Sequence, residues 1–165
     1  MPDITRRDIV GISIGAAIVG GTSASRVASA ASGEPRMSVQ RYLIQEPTSG
    51  LPFIKMTPII SLAAVHESIV YLCGLTANPA RPGDIKDQTK QVLERIDRLL
   101  SKAGTDKSKI LSAQVWLTDM AHFEDHNAVW NAWADPENPP VRACLHSPQL
   151  WYPGLLVEIM VTAAK

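Results

Sequence analysis

One amphipathic helix, set between runs of strand-like sequence, most constrains the fold of this chain. Asp84 has the side chain of a helix N-cap, Asp87 lies in the first turn, and Gly104 follows the last turn as a C-terminal cap. Between these caps, apolar residues recur at helical spacing and charged residues fill most other positions. The apolar residues are Ile85, Val92, Ile96, Leu99 and Leu100. The spacing predicts a helix over 85–103 with one buried face.

Strand-like patterns precede and follow this helix, and the predicted order of elements is βββαβαββ. The predicted strands are 38–44, 59–65, 68–73, 111–117, 141–146 and 155–163, and a second helix is predicted over 122–134. A hairpin turn is expected at His66-Glu67. This is an α+β fold, a mixed sheet with two helices on one face. The other face must be buried by something else, which predicts an oligomer.

Composition excludes several classes of protein. The chain has 165 residues, enough for one domain with a real core. Its 16 basic and 16 acidic side chains give a net charge of zero, which argues against a nucleic-acid partner. Cys73 and Cys144 lack zinc-type spacing, and no glycine-rich phosphate loop is present. The sequence therefore predicts neither a metal nor a cofactor.

The first thirty residues have the layout of a twin-arginine export signal. Arg6 and Arg7 precede the uncharged run 9–21, and Ala28-Ser29-Ala30 has the small residues that a signal peptidase requires. That run would cover about 20 Å of a ~30 Å bilayer core, too little for a stable membrane span. We expect 1–30 to be a periplasmic export signal, 31–37 a linker and 38–165 the mature domain. The alternative is an apolar N-terminal helix packed on the domain.

Arg142 is the residue whose surroundings most suggest a site. It follows Pro140 and opens a strand whose next members, Ala143 and Cys144, are small. Glu158 lies in another apolar strand, where a carboxylate must be paired, belong to a site or face water. The pattern alone favours a structural ion pair between Arg142 and Glu158. A ligand site is the alternative.

Other candidate groups have simpler interpretations. His122 and His126 lie four apart on the second helix with Glu124 between them, which is not the order of the zinc-protease motif. A solvated helix face is the favoured interpretation of this set. Cys73 and Cys144 lie in apolar strands without the spacing of a nucleophilic triad, so they are interpreted as core residues.

The mature domain resembles the Rid (RidA/YjgF-type) imine/enamine deaminase family. The Pro-x-Arg-x-Cys strand of that family is matched by Pro140-Val141-Arg142-Ala143-Cys144, and its later acidic strand by Val157-Glu158-Ile159. The likeness covers about 56–165. Less specific matches are the strand 70–74, the first helix from 87 to 93, and the segments 115–119 and 123–130.

This resemblance implies a chorismate-mutase-like fold, a homotrimer with pockets between subunits, and hydrolysis of 2-imino and enamine acids to 2-oxo acids and ammonia. Neither metal nor cofactor is implied. Arg142 would hold the substrate carboxylate in a bidentate fork. Glu158 and the Cys144 carbonyl would orient the attacking water and move protons. The implied substrate-binding residues are Arg142, Cys73, Gly74, Asn127 and Ile60.

Two positions depart from the family and leave alternatives open. Ile60 stands where a pocket tyrosine is common, and Cys73 stands where serine is common, so the pocket becomes more apolar. A trimeric small-carboxylate-binding or chaperone-like protein without turnover is one alternative. A deaminase of larger substrates, its pocket shaped by Trp151 and Tyr152, is another. If Cys73 and Cys144 shared one cleft, oxidation after export would bridge or modify them.

Overall fold

The structure is a computed structural model and describes residues 38–43 and 60–165. The predicted export signal (1–30) and linker (31–37) lie outside the described residues. Two α-helices and seven strands occur in the described part, and short 3-10 helices at Lys107–Lys109 and Met120–His122 precede β5 and α2. The elements are β1 Gln40–Leu43, β2 Ser61–His66, β3 Ile69–Leu72, β4 Leu75–Thr76, α1 Ile85–Ala103, β5 Ile110–Leu117, α2 Phe123–Trp133, β6 Val141–His146 and β7 Val157–Ala164.

The strands form one mixed sheet with the order β1-β2-β3-β7-β5-β6, and β4 pairs with β7 beyond the end of β3. Strands β5 and β6 are parallel and are connected by α2, whereas the other neighbours are antiparallel. The predicted mixed sheet with two helices on one face is confirmed. Strand β4 was not predicted, and β6 and β7, which follow each other in the sequence, are separated by β5.

Helix α1 begins and ends where its caps predict. The Asp84 side chain accepts a hydrogen bond of 2.9 Å from the Asp87 N–H, and Gly104 has φ of 82°, in the left-handed region. Helix α2 is fixed to α1 by a side-chain hydrogen bond of 2.9 Å from the Trp133 indole to Asp97. The two helices therefore hold each other on one face of the sheet. No helix of the described part is long and apolar enough to cross a membrane.

Successive side chains of each strand point to opposite faces of the sheet, and here one face is buried and the other is open. In β7, the odd-numbered residues from Val157 to Ala163 are buried, and the even-numbered residues between them are partly exposed. The open face presents large apolar side chains to solvent, namely Tyr71 (48% exposed), Leu145 (51%) and Val141 (74%). Large apolar side chains exposed together on one face favour contact with another protein surface.

Candidate active site

Arg142 lies on β6 and points toward α2. Its Nη1 donates a hydrogen bond of 2.9 Å to Asn127 Oδ1, and its Nη2 lies 2.7 Å from His126 Nε2. The guanidinium carbon lies 4.7 Å from the centroid of the Trp130 ring. Two hydrogen bonds and a stacking contact fix both the position and the plane of the guanidinium. One stretch of α2, 126–130, therefore supplies all three contacts.

The charge of Arg142 is not neutralised by any acidic side chain of the described residues. Its two hydrogen-bond partners are uncharged, because burial and the nearby Arg142 lower the pKa of His126 to about 4 and Asn127 is an amide. Burial also lowers the pKa of Arg142 itself. Of its five N–H groups, three have no acceptor in the described part, including the buried Nε. A partly buried cation with only neutral partners favours an anionic ligand.

Arg142 and Glu158 do not form the ion pair that the sequence pattern favours. Ala113 on β5 pairs with Arg142, and Trp116 on β5 pairs with Glu158. Paired residues on neighbouring strands point to the same face, and Ala113 and Trp116 are three residues apart, so they point to opposite faces. Arg142 thus lies on the helix-covered face and Glu158 on the open face. The ion-pair prediction is wrong because β5 separates the two strands and sets this register.

Glu158 is partly buried beside Gly74. A Cβ added at Gly74 would overlap the Glu158 carboxylate, so a glycine leaves the space in which this carboxylate lies. Burial raises the pKa of Glu158. Its register partners are Thr76 and Trp116, and Thr76 Oγ1 accepts a hydrogen bond of 3.1 Å from the Trp151 indole. A carboxyl group with a raised pKa takes up a proton more readily than an exposed one, which suits it to proton transfer.

Cys73 and Cys144 are free and partly buried. Burial raises the pKa of both thiols, an effect that Arg95 opposes at Cys73 and Arg142 opposes at Cys144. Both side chains are therefore protonated and weakly nucleophilic near neutral pH. Ile60 lies directly before β2 and is 45% exposed.

The residues that the sequence selected fall into two groups. Arg142, Asn127 and Cys144 lie at the edge strand β6 and helix α2. Cys73, Gly74 and Glu158 lie near the junction of β3 and β4. Within the described residues, no three His, Cys, Asp or Glu side chains cluster as metal ligands would.

His126 is the residue that sequence reasoning placed wrongly. It is fully buried, and its Nδ1 lies 3.0 Å from Oγ1 of Thr89, which is also fully buried on α1. The interpretation as a solvated helix face is therefore wrong for His126, although Glu124 is exposed. The spacing of His126, Trp130 and Trp133 by four and then three residues puts all three on one stripe of α2, and this pattern was the available signal.

Comparisons with known proteins found a matching family model, related sequences and related crystal structures. The family model described as Endoribonuclease L-PSP matches residues 60–165. A RutC family protein from Haemophilus ducreyi is 40% identical over 111 residues, which cover 67% of this chain and 93% of that protein. The RutC family protein YoaB from Escherichia coli is 36% identical over 100 residues, covering 61% of this chain and 85% of that protein. The crystal structure of a YjgF family member from Neisseria meningitidis matches with a TM-score of 0.66 and 32% identity, covering 78% of this chain and 96% of that one.

Proposed function

Because the chain belongs to the Endoribonuclease L-PSP family, which includes the YjgF and RutC proteins, we propose that it hydrolyses reactive 2-imino and enamine acids. The products are a 2-oxo acid and ammonia. The observation that carries this proposal is the fixed guanidinium of Arg142, whose charge has only neutral partners in the described part.

Arg142 is the carboxylate anchor in this mechanism. A substrate carboxylate accepts hydrogen bonds from the two N–H groups of Nη1 and Nη2 that have no protein acceptor, and its negative charge compensates the partly buried cation. Water then adds to the carbon of the C=N bond while the nitrogen takes up a proton. The C–N bond of this adduct breaks, ammonia leaves and a carbonyl remains. No covalent link to the protein is required, so the thiols of Cys73 and Cys144 need not react.

Glu158 is the proposed proton carrier, and it must come from a second copy of the chain. The imine carbon is bonded directly to the carboxylate carbon, so a substrate held at Arg142 reacts within a few ångströms of that residue. The Glu158 side chain of the same chain lies on the opposite face of the sheet from Arg142. A shared cleft therefore combines Arg142 of one copy with Glu158 and Gly74 of another.

The open face of the sheet supports this assembly. Tyr71, Val141 and Leu145 expose large apolar side chains there, and burying apolar surface stabilises association. We propose that the copies form a homotrimer with one cleft at each interface. A small carboxylate is the other proposed partner. Nucleic acid is not, although the family description names an endoribonuclease, because 16 basic and 16 acidic side chains leave no net positive charge.

The test is competition for an imine. An amino-acid oxidase generates the imine in situ, and a nucleophilic trap competes with water for this imine. Catalysed hydrolysis therefore lowers the yield of the trapped product. The wild-type protein is expected to lower that yield, and Arg142→Ala to lose at least about tenfold in rate through loss of a charged hydrogen-bonding anchor. Arg98→Ala, which removes an exposed arginine of α1, is the matched control. An Arg142→Ala protein as active as wild type would contradict the assignment.

A second candidate function is small-carboxylate binding, or a chaperone-like role, without turnover. Ile60 and Cys73 favour it, because they replace a tyrosine and a serine common in pockets of this family. Saturable binding of pyruvate together with an unchanged yield of trapped imine would establish this alternative. Loss of both binding and hydrolysis in Arg142→Ala would instead support the hydrolase.

We propose further that the protein acts in the periplasm. The support is the order of paired arginines, uncharged run and Ala28-Ser29-Ala30 at the N-terminus. Mass spectrometry of the exported protein is expected to find a chain that starts near Ala31. A full-length chain that stays in the cytoplasm would contradict the proposal.

A further inference from the structure

Donor and acceptor roles around His126 are fixed by Arg142. A guanidinium has no acceptor, so in the 2.7 Å contact Arg142 Nη2 donates and His126 Nε2 accepts. The imidazole is therefore neutral and carries its proton on Nδ1. Nδ1–H then donates to Thr89 Oγ1 over 3.0 Å. Arg142 therefore selects the tautomer, and the Thr89 hydroxyl supplies the acceptor that the buried Nδ1–H requires.

A neutral acceptor is suited to orient a cation that must still bind an anion. An acidic side chain in place of His126 would also accept from Nη2, but it would neutralise the guanidinium and compete with a substrate carboxylate. A protonated imidazole would present a donor and repel Arg142. With His126 on Nη2 and Asn127 on Nη1, the guanidinium is held at both ends by uncharged acceptors and keeps its full charge.

We propose that His126, whose buried Nδ1–H is accepted by Thr89, is a positioning residue that holds the Arg142 guanidinium in the orientation that binds the substrate carboxylate. This inference rests on the proposed function, because it assigns a role to His126 in the same site. His126 does not touch the substrate. Its contribution is to the affinity of Arg142 for the carboxylate.

The test compares variants that differ in what they offer to Nη2. His126→Gln retains a neutral acceptor, His126→Leu removes it, and Thr89→Val removes the group that accepts the Nδ1–H of His126. His122→Leu, directly before α2, and Thr105→Val, another buried threonine, are matched controls. Circular dichroism and the oligomeric state of each variant identify any that fail to fold.

The first readout is the dissociation constant of pyruvate by calorimetry, together with KM and kcat for a generated imine. His126→Leu is expected to weaken pyruvate binding and raise KM by roughly tenfold, the size expected for one charge-assisted hydrogen bond, with a smaller change in kcat. Thr89→Val should fall between this variant and wild type. His126→Gln should stay within about threefold of wild type, and the controls should not change.

The second readout is independent of activity. Imidazole ¹⁵N shifts of His126 in the wild-type protein at pH 7 are expected to show a protonated Nδ1 and an unprotonated Nε2. The opposite tautomer, or equal pyruvate affinity in wild type and folded His126→Leu, would overturn the inference and leave the proposed function standing. A wild-type protein that neither binds pyruvate nor hydrolyses imines would overturn both.

Discussion

His126 makes the stability of the protein depend on pH in a defined window. Burial beside Arg142 lowers the pKa of its imidazole from 6.5 to about 4 in the folded protein. Between these two values, the unfolded chain binds a proton that the folded chain does not. The stabilisation is therefore complete above pH 6.5 and is lost as the pH falls toward 4.

The size of this effect follows from the two pKa values. A fall from 6.5 to about 4, at about 1.4 kcal/mol per unit, corresponds to about 3.5 kcal/mol over the whole window. Other groups also titrate: hydrogen bonds lower the pKa of Asp106 and Asp135, and burial raises that of Glu158. A His126→Gln variant retains all of these groups, so its difference from wild type isolates the histidine.

Urea unfolding at pH 7 and pH 4.5, at one protein concentration, measures the difference. The wild-type free energy of unfolding is expected to fall by about 2.5 kcal/mol more than that of His126→Gln between these pH values. A parallel fall in both proteins would refute the account of His126 as a buried neutral acceptor. It would show that the ring is protonated in the folded state, or that it is accessible to water.

Three further predictions concern the rest of the site. Gly74→Ala should displace the Glu158 carboxylate and lower kcat for imine hydrolysis, while Tm changes little because the partly exposed Glu158 side chain can move. An unchanged kcat would contradict the close approach of the Glu158 carboxylate to Gly74. In the native protein, Cys73 and Cys144 should react slowly with a thiol reagent, because burial raises the pKa of both thiols. After unfolding without reductant, two reactive thiols per chain are expected, and fewer than two would indicate a disulfide. Leu145→Asp should weaken self-association by placing a charge on the open face, and an unchanged mass in sedimentation would exclude this face as the interface.

Local signals predicted much of the fold. Helix α1 has the predicted bounds because Asp84 and Gly104 cap it through their own side chain and backbone. Strand β6 also has its predicted bounds, between prolines that cannot continue α2 and the loop after His146. Strand β4 was missed because its two residues, Leu75 and Thr76, obtain their pairing from the distant β7 and carry no periodic pattern of their own.

The site was predicted less completely than the fold, because its geometry depends on tertiary register. Arg142 was singled out from its strand and Asn127 was named from the family resemblance, and the structure brings them together. The partnership of Arg142 with Glu158 failed because no local pattern shows that β5 lies between β6 and β7. His126 was missed because Glu124, between His122 and His126, suggested an exposed face.

The most direct test of the central claim is a crystal structure of the protein soaked with pyruvate. The account predicts the pyruvate carboxylate on the guanidinium of Arg142, which retains its contacts with His126 and Asn127. Glu158 of a neighbouring copy is expected near the carbonyl carbon. Pyruvate bound away from Arg142, or an Arg142 side chain neutralised by an acidic residue of its own chain, would contradict the account.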